Sequence, residues 1–227
     1  MKFGGTSVAN LSRIKNLQQL VKKKISNGHK KILVVVSAMS GVTNNLVKQY
    51  KKIDSNINKP EYDVILSTGE QYSSAIISTF LNKNGLKSRS ILGWQIPIIT
   101  DDKFSQARIE KINTEKILKL FKKFNVLVVA GFQGISSEDR ITTLGRGGSD
   151  TSAVAIAVAL KSKICEIYTD VEGIFSSDPK VVKDAKKIKN ITYEEILEMA
   201  SLGSKVLHPR SVELAMKYDI NIHVRSS

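Results

Sequence analysis

Two glycine-rich segments carry the residues best suited to chemistry. Thr143-Leu144-Gly145-Arg146-Gly147-Gly148-Ser149-Asp150-Thr151-Ser152 follows a Val-rich run and opens onto the apolar segment Ala153 to Leu160. Glycines let a backbone approach an anion closely, and the free N–H groups and dipole of a helix start favour negative charge there. Arg146 and Asp150 set one fixed charge of each sign beside that cradle. Lys2-Phe3-Gly4-Gly5-Thr6-Ser7 opens the chain in a similar way. Lys2 is a point cation for a phosphate, and Thr6 or Ser7 can cap the helix that follows. The P-loop pattern is missing, and Gly145-Arg146-Gly147 lacks the third glycine of a dinucleotide fingerprint, so Walker-type and Rossmann readings drop out. What remains is a nucleotide or phosphate cradle made from two separate loops, with a polar Thr169-Asp170 pair at a strand end.

Those loops must be held by regular elements, and the apolar pattern says which. Val8, Leu11, Ile14, Leu17, Val21 and Ile25 recur every three or four positions, a helix ending near Gly28. Residues 31–37 and 125–131 are continuous apolar runs of the kind buried on both faces of a sheet, with further strands at 166–169 and 220–224. Helical segments fall between them at 42–53, 63–81, 114–124 and 192–202. Alternating strands and helices imply a parallel sheet in an α/β sandwich, with ligands beyond the carboxyl ends of the strands. Small and polar turns stand at those ends: Ser37 to Thr43, Gly131 to Gly134 and Asp170 to Gly173. Ser136 to Asp139 reads as a hairpin tip, predicting an antiparallel excursion. Thr192-Tyr193-Glu194-Glu195 is a capping box, and Pro209 suits the first turn of the next helix.

Composition excludes several classes. A chain of 227 residues with 41% hydrophobic content can bury a real core, and no run approaches the roughly 20 apolar residues of a membrane span. The start lacks a signal peptide's apolar stretch, so the expectation is a soluble, cytoplasmic protein with no membrane partner. Cys165 has no cysteine to pair with, and His29, His208 and His223 are too scattered for a zinc-type cluster. The net charge of +14 comes from 28 Lys and only seven Arg, spread over helix faces with few aromatics between them. Arginine is the better reader of phosphates and bases, so the charge reads as solvated surface rather than a nucleic-acid site.

Seven segments appear in an order that resembles the aspartokinases of the amino acid kinase family. They are Lys2 to Ser7, Val36 to Gly41, Ser67-Thr68-Gly69-Glu70, Gly131 to Gly134, Thr142 to Asp150, Tyr168-Thr169-Asp170 and Gly203-Ser204-Lys205-Val206-Leu207-His208-Pro209. The resemblance covers essentially the whole chain. It implies a three-layer α/β/α sandwich with a mainly parallel central sheet, as in carbamate kinase-like folds. It also implies transfer of the γ-phosphoryl of MgATP to the side-chain carboxylate of aspartate, the first step toward lysine, threonine and methionine. The acceptor is already an anion, so the reaction asks for alignment and charge neutralisation rather than a general base.

Roles for matching positions follow from the resemblance. Lys2, with the amides of Gly4 and Gly5, holds the transferring phosphoryl, and Lys205 reaches the ATP phosphates from the other side. Asp150 orients the lysines by ion pairing; these three carry the catalysis. Arg146 grips the α-carboxylate of the amino acid as a bidentate fork and Glu70 takes its ammonium, with Ser37, Thr43, Gly147, Gly148 and Ser149 around the substrate. ATP is assigned Thr6, Ser7, Thr169, Asp170, Phe175, Asp178 and Lys180 besides the lysines and first glycines. No protein metal site is expected, Mg²⁺ being held mainly by the ATP phosphates. Two positions depart from the family: an aromatic hydroxyl is usual at Phe175 and arginine at Lys180.

The ends depart further. The resemblance implies several residues of strand leading into Lys2, and, beyond Ser227, a closing strand followed by paired regulatory ACT domains. The expectation is therefore a catalytic domain over residues 1–227, its earlier part binding substrate and roughly 150–227 binding nucleotide, in a dimer or larger homo-oligomer. The alternatives are a relative acting on glutamate, acetylglutamate or a nucleoside monophosphate, a catalytically impaired nucleotide-binding fragment, and, on charge alone, a nucleic-acid-binding protein.

Overall fold

The computed structural model describes residues 1–57, 59–177, 181–202 and 207–227. In chain order the elements are β1 (Lys2–Phe3), a 3₁₀ turn (Thr6–Val8), α1 (Leu11–Ser26), β2 (Ile32–Val36), α2 (Val42–Lys51), α3 (Pro60–Lys83) and β3 (Ser88–Ile91). Then come β4 (Ile98–Thr100), β5 (Ile109–Ile112), α4 (Thr114–Leu120), β6 (Val126–Ala130), β7 (Gln133–Ile135) and β8 (Ile141–Thr143). The chain continues through α5 (Gly148–Ala159), β9 (Ile164–Thr169), β10 (Ile174–Phe175), β11 (Lys187–Ile188), α6 (Tyr193–Ser201), α7 (Pro209–Lys217) and β12 (Asn221–Ser226).

A central parallel sheet runs in the order β12-β9-β1-β2-β6-β3. Side chains alternate across it, and the alternation builds three layers. Val34 and Val36 of β2 and Val126 and Val128 of β6 pack with Ile14, Leu17 and Val21 of α1 and Ile77 and Leu81 of α3. Val35, Leu127 and Val129 point the other way, against Val154 and Ile156 of α5 and Val212 and Ala215 of α7. Burial on both faces explains why these strands read as unbroken apolar runs. The three-layer α/β/α class expected from the sequence is the observed one.

Register aligns the carboxyl ends. Phe3 pairs with Val36 and with Tyr168, and Val36 pairs with Ala130. The turns after β1, β2, β6 and β9 therefore open side by side. From β1 the chain first builds the sheet on the β2 side and later returns to β9 on the other, so β1 lies at the topological switch point.

The expected antiparallel excursion is present: β7 and β8 pair antiparallel around Ser136 to Asp139, in a second sheet of order β5-β4-β7-β8. The capping box at Thr192 is formed, and Pro209 stands in the first turn of α7. Other expectations need correction. Neither Thr6 nor Ser7 caps α1; they form a separate 3₁₀ turn, and Asn10 accepts from Arg13 N–H at 3.0 Å instead. Helix α3 starts at Pro60, ahead of the expected Asp63, because proline suits a first helical turn. Helices α2 and α4 stop at Lys51 and Leu120, short of Ile53 and Phe124. Strand β3 was not legible: Ser88-Arg89-Ser90-Ile91 has no apolar run, and an edge position does not require one.

Candidate active site

Close packing at glycine brings three loops to the switch point. A Cβ on Gly5 would stand 2.7 Å from the carbonyl oxygen of Ala38, and Ser40 N–H donates to Gly5 O at 3.2 Å. The loop after β1 thus leans on the loop after β2. From below, α3 presses on that second loop, since a Cβ on Gly69 would meet Ala38 Cβ at 2.8 Å. Gly147 has φ +69°, and its missing side chain leaves room for the His208 ring, whose Cγ would be 2.2 Å from a Cβ. Only glycine meets both demands there.

A cleft of about 230 Å³ results, lined by Lys2, Ser37, Ala38, Thr43, Glu70, Phe132 and the run Gly145 to Asp150. Lys2, Ser37, Thr43, Glu70, Arg146, Gly147, Gly148, Ser149 and Asp150, nine positions singled out from the sequence, share this one cavity.

Charge in the cleft is arranged in two pieces. Lys2 Nζ lies 2.5 Å from Asp150 Oδ1, an ion pair between β1 and the first turn of α5 whose side chains are only 10% and 14% exposed. A carboxylate in a helix's first turn also matches the helix dipole. Glu70, buried in the middle of α3, accepts a hydrogen bond from Ala38 N–H at 3.0 Å through Oε1. Its Oε2 is buried and has no hydrogen-bond partner among the described residues. Desolvation raises the Glu70 carboxyl to about 7, against the lowering effect of the backbone bonds. Arg146 is exposed on the rim and makes no ion pair among the described residues.

The remaining expected positions distribute differently. Gly4 N–H donates to Tyr168 O at 3.2 Å, so this amide is committed to strand β9 rather than open to a phosphate. Ser7 is buried with its hydroxyl donating to Tyr168 O at 3.4 Å, while Thr6 is exposed. Gly4, Gly5, Thr6 and Ser7 do not line the cleft; Gly5 packs against Ala38, which does. Thr169 and Asp170 stand at the end of β9, next to β1, joined by a 3.1 Å hydrogen bond. Phe175, in the small β10–β11 hairpin, is half-buried. None of these three lines the cleft. Lys205, Asp178 and Lys180 lie outside the described residues.

Several supporting groups were not singled out. Phe132 and Ala38 line the cleft, and both belong to strand-end turns visible in the sequence. Ser152 Oγ donates to Gly148 O at 2.9 Å and accepts from Phe132 N–H at 3.0 Å, locking the β6 turn to the start of α5. The His208 imidazole packs on Gly147, and burial pushes its pKa below the ordinary value. Among the described residues no helix is long and apolar enough to cross a membrane.

Known proteins share this fold. The chain is 50% identical to an aspartokinase of Rickettsia felis over 229 residues, covering 100% of this chain and 57% of that protein. The crystal structure of aspartate kinase from Synechocystis superposes with a TM-score of 0.85 at 47% identity, covering 99% of this chain and 37% of the other. E. coli aspartokinase III in complex with aspartate and ADP superposes equally well, TM-score 0.85 at 29% identity, over 99% of this chain and 61% of that one. The chain thus spans a little over half the length of the curated relatives it matches. A model of the amino acid kinase family matches residues 1–226, the whole extent over which the parallel sheet and its switch-point cleft are built. With sequence and fold in agreement, this chain belongs to the amino acid kinase family.

Proposed function

We propose that the chain is the catalytic part of an aspartate kinase, which transfers the γ-phosphoryl of MgATP to the β-carboxylate of L-aspartate to give 4-phospho-L-aspartate and ADP. The observation that carries this reading is Glu70: a buried carboxylate with one oxygen bound by Ala38 and the other without a donor among the described residues, in the cleft that also holds Arg146. A free buried acceptor is costly unless a cationic ligand meets it. Glu70 takes the substrate ammonium and Arg146 forks the α-carboxylate, which leaves the β-carboxylate as the reacting end. Ser37, Thr43 and Ser149 are the small donors left to orient it.

The phosphoryl end is assigned to Lys2. Its ammonium is buried, held by Asp150 and backed by Gly4, where a Cβ would stand 3.7 Å from Nζ and narrow the space. Lysine at that point neutralises charge that builds up between two anionic reactants, and Asp150 keeps it aimed. Bound MgATP supplies the phosphoryl group and the metal charge that offsets its oxygens. Among the described residues no three His, Cys, Asp or Glu side chains gather into a cation site, and we assign Mg²⁺ to the nucleotide's phosphates. Thr169, Asp170 and Phe175 are proposed for the nucleotide, so that residues from about 150 onward form its lobe and earlier ones the aspartate lobe. We place the protein in the cytoplasm as a dimer or larger; sedimentation tests the assembly.

Coupled ADP release with aspartate, glutamate and acetylglutamate, followed by hydroxylamine trapping of the acyl phosphate, tests the reading. Trapped aspartyl hydroxamate with aspartate alone is expected. Preference for glutamate or acetylglutamate would replace the substrate, and nucleotide binding with no turnover would replace the activity.

A further inference from the structure

Asp63 is fully buried, does not line the cleft and takes no part in the chemistry above. It stands in the first turns of α3, seven residues before Glu70 and so on the same helical face. Its carboxylate collects donors from two distant segments. Ser105 N–H donates at 2.9 Å, Thr143 N–H at 2.6 Å and Thr143 Oγ1 at 2.8 Å, while the single proton of the Ser105 hydroxyl goes to the carbonyl oxygen of Ile57. Thr143 ends β8, three residues before Arg146. Ser105 is itself held at φ +66°, and its carbonyl oxygen would be 2.7 Å from a Cβ on Gly145. One carboxylate therefore ties the helix that carries Glu70 to both supports of the loop that carries Arg146.

We infer that Asp63 is a positioning residue that sets the span between Glu70 and Arg146, and so the length of amino acid the cleft accepts. The inference rests on the substrate reading above. Its physical basis is that Oδ2 accepts from both backbone N–H groups and Oδ1 from the Thr143 hydroxyl, three donors that lose their buried acceptor when the carboxylate is removed. Losing the tether lets the Arg146 loop shift relative to α3 without removing any group that touches substrate.

The test pairs kinetics with amide hydrogen exchange on Asp63→Ala and the milder Thr143→Val, which removes one donor and keeps the backbone bond. Asp63→Ala is expected to raise KM for aspartate about tenfold or more, with KM for ATP within about twofold, and to narrow the preference for aspartate over glutamate. Thr143→Val should move the same values in the same direction by less. Exchange should rise at Ser105 and from Thr143 to Ser149 but not in the core of α5 or in β6. Equal losses for both substrates, an unchanged aspartate KM, or exchange raised throughout the chain would overturn the inference. Should the unmodified chain form no aspartyl hydroxamate, the substrate reading falls. The exchange pattern still decides whether Asp63 tethers the loop.

Discussion

Lys2 and Asp150, far apart in the chain, meet as an ion pair of 2.5 Å at the point where β1 ends and α5 begins. Both side chains are nearly buried, so each neutralises a charge the other could not leave exposed to the interior. Removing one partner strands the other, whereas removing both leaves only a packing defect.

Asp150→Ala and Lys2→Met should each destabilise the fold by about 3 kcal/mol, while the double variant recovers most of that stability. Turnover should be lost in all three, because the proposed chemistry needs both the Lys2 ammonium and the Asp150 carboxylate that aims it. Denaturant unfolding with parallel ADP-release assays checks both. Stability losses that simply add in the double variant would count against a buried pair.

Glu70 should make aspartate binding depend on pH. With its carboxyl raised to about 7, the unliganded cleft holds the proton below that value, and the ammonium of aspartate pairs with it only after release. The other charged groups of the cleft are Lys2, Arg146 and Asp150. Affinity for aspartate is expected to climb about tenfold per pH unit below 7 and level off above it, and Glu70→Gln should flatten the profile while weakening binding. Linkage has the opposite sign for folding. The native value lies above the ordinary 4.5, so the folded chain binds more protons between the two, and Glu70's contribution to stability falls as pH rises through that window. Titration calorimetry across pH reads the first effect.

Arg146 sits exposed on the rim, so its substitution should spare the fold. Arg146→Ala is expected to raise KM for aspartate by about 10- to 100-fold with ATP affinity retained, the range for a lost hydrogen bond to a charged group. Arg146→Lys keeps the charge without the fork and should fall between. A collapse of ATP affinity in place of aspartate affinity would move Arg146 to the nucleotide.

Gly147→Ala combines a strained φ of +69° with a collision against the His208 ring. A loss of about 1 kcal/mol or more of stability is expected, together with loss of turnover, since the loop and α7 must part. A thermal melt indistinguishable from that of the unaltered chain would show that the contact yields freely.

Much of the fold was legible because parallel strands buried on both faces must be apolar throughout, as Val34-Val35-Val36 and Val126 to Ala130 are. Strand β3 and the α1 cap were not, since an edge strand can be polar and Asn10 gains its role only from where the 3₁₀ turn leaves the chain. In the site, the glycine runs and charged residues announced themselves by type. Asp63 did not: as one acid in a helix start it looks like an ordinary favourable charge, and its donors come from residues 105 and 143.

The division has a physical cause. Residue types and their local periodicity decide which segments become strands, helices and glycine turns, because those choices depend on neighbours a few positions away. Which turns face one another, which carboxylate meets a lysine as Asp150 does and which has no cation beside it among the described residues, as Glu70 has none, depend on strand order and register. Long-range packing sets those, and with them the burial that raises the Glu70 carboxyl.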